Sequence, residues 1–183
     1  MPATSRTARA CALALAGLGL TASTLVTSAL TAPPAMAAAS GGGSTEITTS
    51  AQARTAARKV SERVLSARDT AMRQRGDLYA YGASGPDRFD CSGLVFYSYR
   101  HAGFSVPRTS SAQAGFTRRV AKSRMRTGDL MFFYGSGGVY HAAIFLRWSH
   151  GHAVMVHSPG SGQRVQVDVP WTSSWFGGTL RRR

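Results

Sequence analysis

One cysteine and a set of histidines carry the reactive chemistry of this chain. Within Phe89-Asp90-Cys91-Ser92-Gly93-Leu94-Val95-Phe96-Tyr97-Ser98-Tyr99, a carboxylate and a thiol stand directly ahead of an apolar run of helical length. Asp90 caps such a run by accepting a backbone N–H bond, which puts Cys91 in the first turn of a helix that stops near Gly103. There the unpaired N–H groups and the positive end of the helix dipole favour the thiolate, the nucleophilic form. The competing reading of the same residue is a small, inert cysteine buried in a helix.

The chain's destination bears on that choice. Arg6 and Arg9 precede an apolar segment from about Cys11 to Leu30, followed by Pro33-Pro34-Ala35-Met36-Ala37. A basic head, an apolar stretch and a small-x-small site read as a secretory signal peptide over 1–37, so the protein is expected to be secreted, extracellular or wall-associated, without a stable membrane anchor. Cleavage removes Cys11 and leaves Cys91 as the only cysteine in an oxidising compartment, where cysteines usually come in pairs. An intramolecular disulfide is then impossible, and an unpaired thiol at a helix start favours reactive chemistry. The formal charge of +14 falls by two with Arg6 and Arg9, to +12. Such a chain adheres to polyanions, here anionic cell-wall polymers rather than nucleic acid, for which no binding motif is present. A solvated basic surface with no dedicated partner fits the scattered charges equally well.

Positioning these groups falls to a short list of elements. Residues 38–52, with Gly41-Gly42-Gly43, carry too little apolar content to pack and read as a flexible linker. From Ala53 to Arg75, Ala56, Val60, Val64, Ala67 and Ala71 recur at helical spacing and predict an amphipathic helix ending at Gly76. Past the cysteine helix, Val106–Gln113 is a loop with a short helical turn, and the periodicity then changes. Asp129–Phe133, Tyr140–Leu146, His152–His157 and Gln163–Val169 read as strands, with a further strand near Thr179. Residues 53–183 therefore form one α+β domain, helices first and an antiparallel sheet after.

The hairpin over Tyr140–His157 supplies a base. With its turn centred on Ser149, paired residue numbers sum to 298, which sets His141 directly across from His157 with Cβ atoms ~5 Å apart. His141 then takes the proton of Cys91 while His157 holds the other ring nitrogen, the logic of nucleophile, base and orienter. His101, His150 and His152 read as surface residues. With no carboxylate or thiol beside His150, His152 and His157, no metal or other cofactor is expected.

Together, Asp90-Cys91-Ser92-Gly93-Leu94, Tyr79-Ala80-Tyr81-Gly82, Pro107-Arg108-Thr109-Ser110-Ser111-Ala112-Gln113, Thr127-Gly128-Asp129-Leu130 and Tyr140–Leu146 resemble the NlpC-type family of cell-wall cysteine peptidases. No single motif is specific, but the ordered set is. The resemblance covers about Val64 to the C-terminus and implies a papain-like core. It also implies hydrolysis of peptide bonds in peptidoglycan stem peptides, typically after D-glutamate, by a monomer with Cys91 as nucleophile, His141 as base and His157 as third residue. Tyr79 falls at the family's tyrosine beside the nucleophile, where its hydroxyl and the Cys91 N–H face the oxyanion; core packing is the other reading of Tyr79 and Tyr81. Ser92, Arg108 and Ser110 fall where substrate contacts are expected, and Asp90 serves as a cap. The segment Arg147–His152 is longer than the family's usual hairpin turn and offers a groove wall with Trp148 exposed. An amidase or acyltransferase on the same core, and a non-catalytic wall-binding module, are the rival functions.

Overall fold

The computed structural model describes residues 43–181, so the expected signal peptide and the linker residues 38–42 lie outside the described residues. The first described element, α1, spans Gly43–Arg73. It begins well before the expected Ala53, which corrects the linker reading for residues 43–52. Lack of apolar content shows only that nothing packs there, and residues 49–59 are indeed exposed. An existing helix elongates without a tertiary partner, because propagation adds a hydrogen bond for each residue fixed.

A short parallel pair follows, β1 (Leu78–Tyr79) with β2 (Arg88–Phe89). Next come α2 (Cys91–His101), α3 (Ser110–Phe116), β3 (Arg118–Val120) and a single turn of 3-10 helix at Lys122–Arg124. The remaining strands are β4 (Leu130–Gly135), β5 (Gly138–Ser149), β6 (His152–His157), β7 (Gln166–Asp168) and β8 (Trp175–Thr179). They form an antiparallel sheet in the order β3-β8-β4-β5-β6-β7, giving the expected α+β architecture.

The central strands are buried on both faces, which explains their nearly continuous apolar runs. Ala142, Ile144 and Leu146 of β5 meet Val64, Ala67 and Ala71 of α1 and Leu94, Val95 and Tyr99 of α2. The alternate residues Ala143 and Phe145 turn to a second cluster with Met131, Phe133, Met155 and Trp175. Alternation along a strand thus sorts residues between two cores rather than between core and solvent.

The hairpin register differs from the expected one. Ser149 pairs with His152, Trp148 with Ala153 and Arg147 with Val154, so the turn is only His150-Gly151, both at positive φ (49° and 78°). That is the twist a two-residue hairpin turn requires. The segment read as a long turn is strand, and the turn is not centred on Ser149. A bulge at Leu146 then shifts the pairing to Phe145 with Met155 and Ile144 with Val156. One step on, His157 falls across from Ala143, not His141. Ala143 and His141 point to the same face, so the two histidines are diagonal neighbours. Without the bulge, His157 would oppose Ile144 and face the helices.

A buried carboxylate closes the sheet onto the C-terminus. Arg181 Nη1 lies 2.5 Å and Thr179 Oγ1 2.6 Å from Asp129 Oδ1, while Oδ2 accepts the Arg126 N–H at 2.7 Å. Arg181 also donates to the Thr127 carbonyl at 2.6 Å, and Tyr99 donates its hydroxyl to the Gly128 carbonyl. Asp129 and Arg181 are both buried. Asp129→Ala leaves a buried guanidinium without its anion and should cost about 3–5 kcal/mol in urea unfolding, part of it recovered by adding Arg181→Met. A loss of about 1 kcal/mol, as for an exposed pair, would show that the pair does not hold the C-terminus.

Candidate active site

Asp90 is the N-cap of α2, in extended conformation with φ −89°. Its Oδ1 accepts the Gly93 N–H at 2.6 Å and the Ser92 hydroxyl at 3.3 Å, and its Oδ2 accepts the Gly82 N–H at 2.9 Å. Arg108 grips the same carboxylate with two nitrogens, at 3.0 Å and 2.6 Å, and also donates to Ser92 Oγ and the Ala83 carbonyl. Gly93 has no alternative here, because a Cβ would sit 2.0 Å from the Ala83 carbonyl oxygen. Buried Gln113 completes the frame, its Nε2 donating to the Ser92 and Pro107 carbonyls at 2.9 Å and 3.0 Å. Arg108 and Ser92, expected as substrate contacts, line the cleft and also hold the start of the helix. Gln113 is a positioning residue, and nothing local in the Pro107–Gln113 motif marks it as one.

Cys91 sits half-buried on this frame, beside a cleft of about 460 Å³ lined by Tyr79, Tyr81, Gly82, Arg108, Ser110 and Tyr140. Burial pushes its thiol pKa up, and the N–H groups of Ala142, Ser92 and Cys91 itself only partly offset this. The helix start favours a thiolate as the sequence predicts, but desolvation outweighs it. The influence of the Ala142 N–H on the thiol puts Cys91 near the peptide that follows His141. Tyr79 reaches the same spot: burial first, then the neighbouring Cys91, raises its pKa, so its hydroxyl keeps its proton and remains a donor. Ser110 lines the cleft mouth and donates to the Val139 carbonyl at 3.4 Å, with Ser111 on the same oxygen at 3.0 Å.

The histidine pair is formed. His141 Nε2 lies 3.0 Å from His157 Nδ1, and both rings are buried. Burial, then the neighbouring His157, lowers His141 to about 3, with Asp90 opposing. Burial lowers His157 to about 4, with Asp168 opposing. Both are neutral near pH 7, so one ring nitrogen donates and the other accepts. Sequence reasoning missed Trp171, whose ring centroid is 4.6 Å from Phe133 (stacked), 5.2 Å from His141 and 5.8 Å from His157. It covers the pair although its own outer side is exposed. Its only signal was a tryptophan in the Pro170-Trp171 loop before the last strand.

His101, His150 and His152 are exposed and stand apart from this pair. Among the described residues, no three His, Cys, Asp or Glu side chains gather as a metal site. A larger cavity, about 690 Å³, opens between α1 and the C-terminal strand, but it holds no nucleophile. Of its arginines, Arg63 is bound to the Ala102 and Gly103 carbonyls and Arg181 to Asp129. The chemistry lies at the cleft.

A helix with a cysteine at its N-terminus, packed on a sheet that carries a paired histidine, is the layout of a papain-like core. The chain belongs to the NlpC/P60 family, whose model matches residues 76–182. Probable endopeptidase p60 of Listeria monocytogenes is 37% identical over 105 residues, covering 57% of this chain and 20% of that protein. The chain thus spans only a fifth of that relative's length. The peptidoglycan hydrolase RipB of Mycobacterium tuberculosis superposes with a TM-score of 0.58 at 30% identity, over 71% of this chain and 69% of RipB. RipD of the same organism, a non-catalytic NlpC/p60 domain protein adapted to peptidoglycan binding, superposes with a TM-score of 0.54 at 26% identity, over 64% of this chain and 97% of RipD.

Histidines held neutral in the fold make stability depend on acid. Their folded pKa values lie below the unfolded 6.5, so as pH falls below about 6.5 the unfolded chain binds protons that the folded one refuses. Stability is complete above that pH and is lost on the way down to about 4 and then about 3. Urea unfolding of the wild type should lose about 2 kcal/mol or more between about pH 7 and pH 4.5, and His157→Gln should lose less over the same window. Parallel losses would show that His157 does not carry this dependence.

Proposed function

We propose that this protein is an exported peptidoglycan endopeptidase that cleaves stem peptides through Cys91, His141 and His157. The observation that carries this is the bonded histidine pair beside the Ala142 N–H that addresses Cys91. With the thiol pushed up and His141 pushed down, the resting pair is neutral, which favours proton transfer during attack over a standing ion pair. The Cys91 proton passes to His141 Nδ1 as sulfur forms a bond to the amide carbon. The oxyanion is met by the Cys91 N–H and the Tyr79 hydroxyl. His141 then protonates the leaving amine, and a water that it activates releases the acyl group. The tautomer that frees Nδ1 for this work has Nε2–H donating to His157 Nδ1, so His157 orients the base. Asp90, Ser92 and Arg108 hold the nucleophile, and Ser110 lies at the substrate entrance.

The family resemblance supports cleavage after D-glutamate, by a monomer that needs no metal or organic cofactor. The basic N-terminal segment supports export to the wall, where the positive charge of the chain attracts carboxylate-bearing peptides and anionic polymers, less so at high salt.

Purified peptidoglycan digested with residues 38–183 and analysed by mass spectrometry should yield peptide fragments cut within the stem. Cys91→Ala should bind walls and release none. His141→Ala should lower turnover by about 10²–10⁴-fold. His157→Ala should lower it less, with His157→Gln recovering part, because an amide oxygen still accepts the ring N–H. Wild-type binding without release would instead make the domain a wall-binding module, and free sugar–peptide separation would make it an amidase.

A further inference from the structure

On the sheet face behind the histidine pair, a groove of about 470 Å³ is lined by Trp148, Trp171, Trp175, Lys122, His152 and Ser173. Trp175 is its floor, 6% exposed, whereas Trp148 and Trp171 stand 41% and 56% exposed. Trp148 lies 6.4 Å from Trp175 with ring planes 35° apart, so the indoles line the groove rather than closing on one another. Two large aromatic surfaces left wet in one concavity mark a binding surface better than a solvated face, since each gives up favourable burial.

The chemistry of the lining selects the occupant. The groove's one lysine is already committed: Lys122 Nζ sits 4.0 Å over the Trp175 ring and donates to the Ser173 carbonyl at 2.9 Å. A polyanion therefore finds little free charge here. What remains is apolar indole surface edged by Thr172, Ser173 and His152. A pyranose matches it, with C–H groups on its faces to lie on indole and hydroxyl and acetamido groups at its rim to bond. Trp171 joins this groove to the chemistry, because the same ring lies against His141 and His157.

We propose that the groove of Trp148, Trp171 and Trp175 binds the N-acetylhexosamine glycan from which the cleaved peptide hangs. The identity of the sugar rests on the peptidoglycan reading above. A ligand seated on Trp148 and Trp171 holds its attached peptide beside the histidine pair and raises the local concentration of the scissile bond.

Chitotetraose, a soluble N-acetylglucosamine oligomer, titrated into residues 38–183 should bind saturably by calorimetry and by tryptophan emission. Trp148→Ala, which touches no catalytic group, should weaken binding about tenfold or more, and Trp148→Phe should fall between the two. A sugar-free stem peptide should be turned over equally by wild type and Trp148→Ala. Failure of the wild type to bind the oligomer, or equal binding by Trp148→Ala, overturns the proposal. So does a Trp148→Ala defect on the sugar-free peptide as large as that on binding, which would indicate general damage. Oligomer binding with no peptide cleavage by the wild type leaves the groove assigned and removes the endopeptidase reading instead.

Discussion

The site depends on one carboxylate. Asp90 is 8% exposed and accepts from Gly82, Ser92 and Gly93 and, through two nitrogens, from Arg108. A buried anion is tolerated only when it is paired and fully bonded, and here the bonds come from three stretches of chain. The turn after Tyr79, the start of the cysteine helix and the loop leading to α3 are thereby drawn to one point. The planar fork of arginine suits this role, since it binds both carboxylate oxygens and still reaches Ser92 and the Ala83 carbonyl. Cys91 follows Asp90 directly, so whatever fixes the carboxylate fixes the sulfur.

The opposing half of the site depends on a register. The bulge at Leu146 changes which β5 residue faces each β6 residue, and so decides whether His157 joins His141 or turns toward the helices. A single extra residue re-aims every side chain beyond it, which is why bulges recur next to reactive groups. The pair is then sealed by Phe133 and Trp171. Sealing sets the protonation states: water is excluded, neither ring charges readily, and the thiol across the site is likewise held in its neutral form. The burial that aligns the groups thus also leaves the thiol and both imidazoles uncharged at rest.

The C-terminal strand ties these halves together. Asp129 and Arg181 tie the end of β8 to the start of β4, and β8 lies between β3 and β4. Its approach carries Trp171 across the histidines and Trp175 into the second core. The same segment therefore stabilises the sheet, covers His141 and His157 and forms part of the tryptophan groove.

Local chemistry in the sequence determined the helix start at Cys91, the capping by Asp90, the end of α1 before Gly76 and the order of helices before strands, because each follows from neighbours within a few residues. The five motifs in order were enough to assign the family. Diagonal contact between His141 and His157 was anticipated as a pair, but for a register that the structure replaces, since a bulge leaves no local mark in an apolar run. Only the tertiary structure decided that Arg108 and Ser92 serve Asp90, that α1 extends through residues read as linker, and that Trp171 covers the histidines. It also decided that Cys91 rests as a thiol. A helix dipole acts over one turn and is legible in sequence, whereas desolvation is set by everything that packs around the sulfur, and that is assembled from segments far apart in the chain.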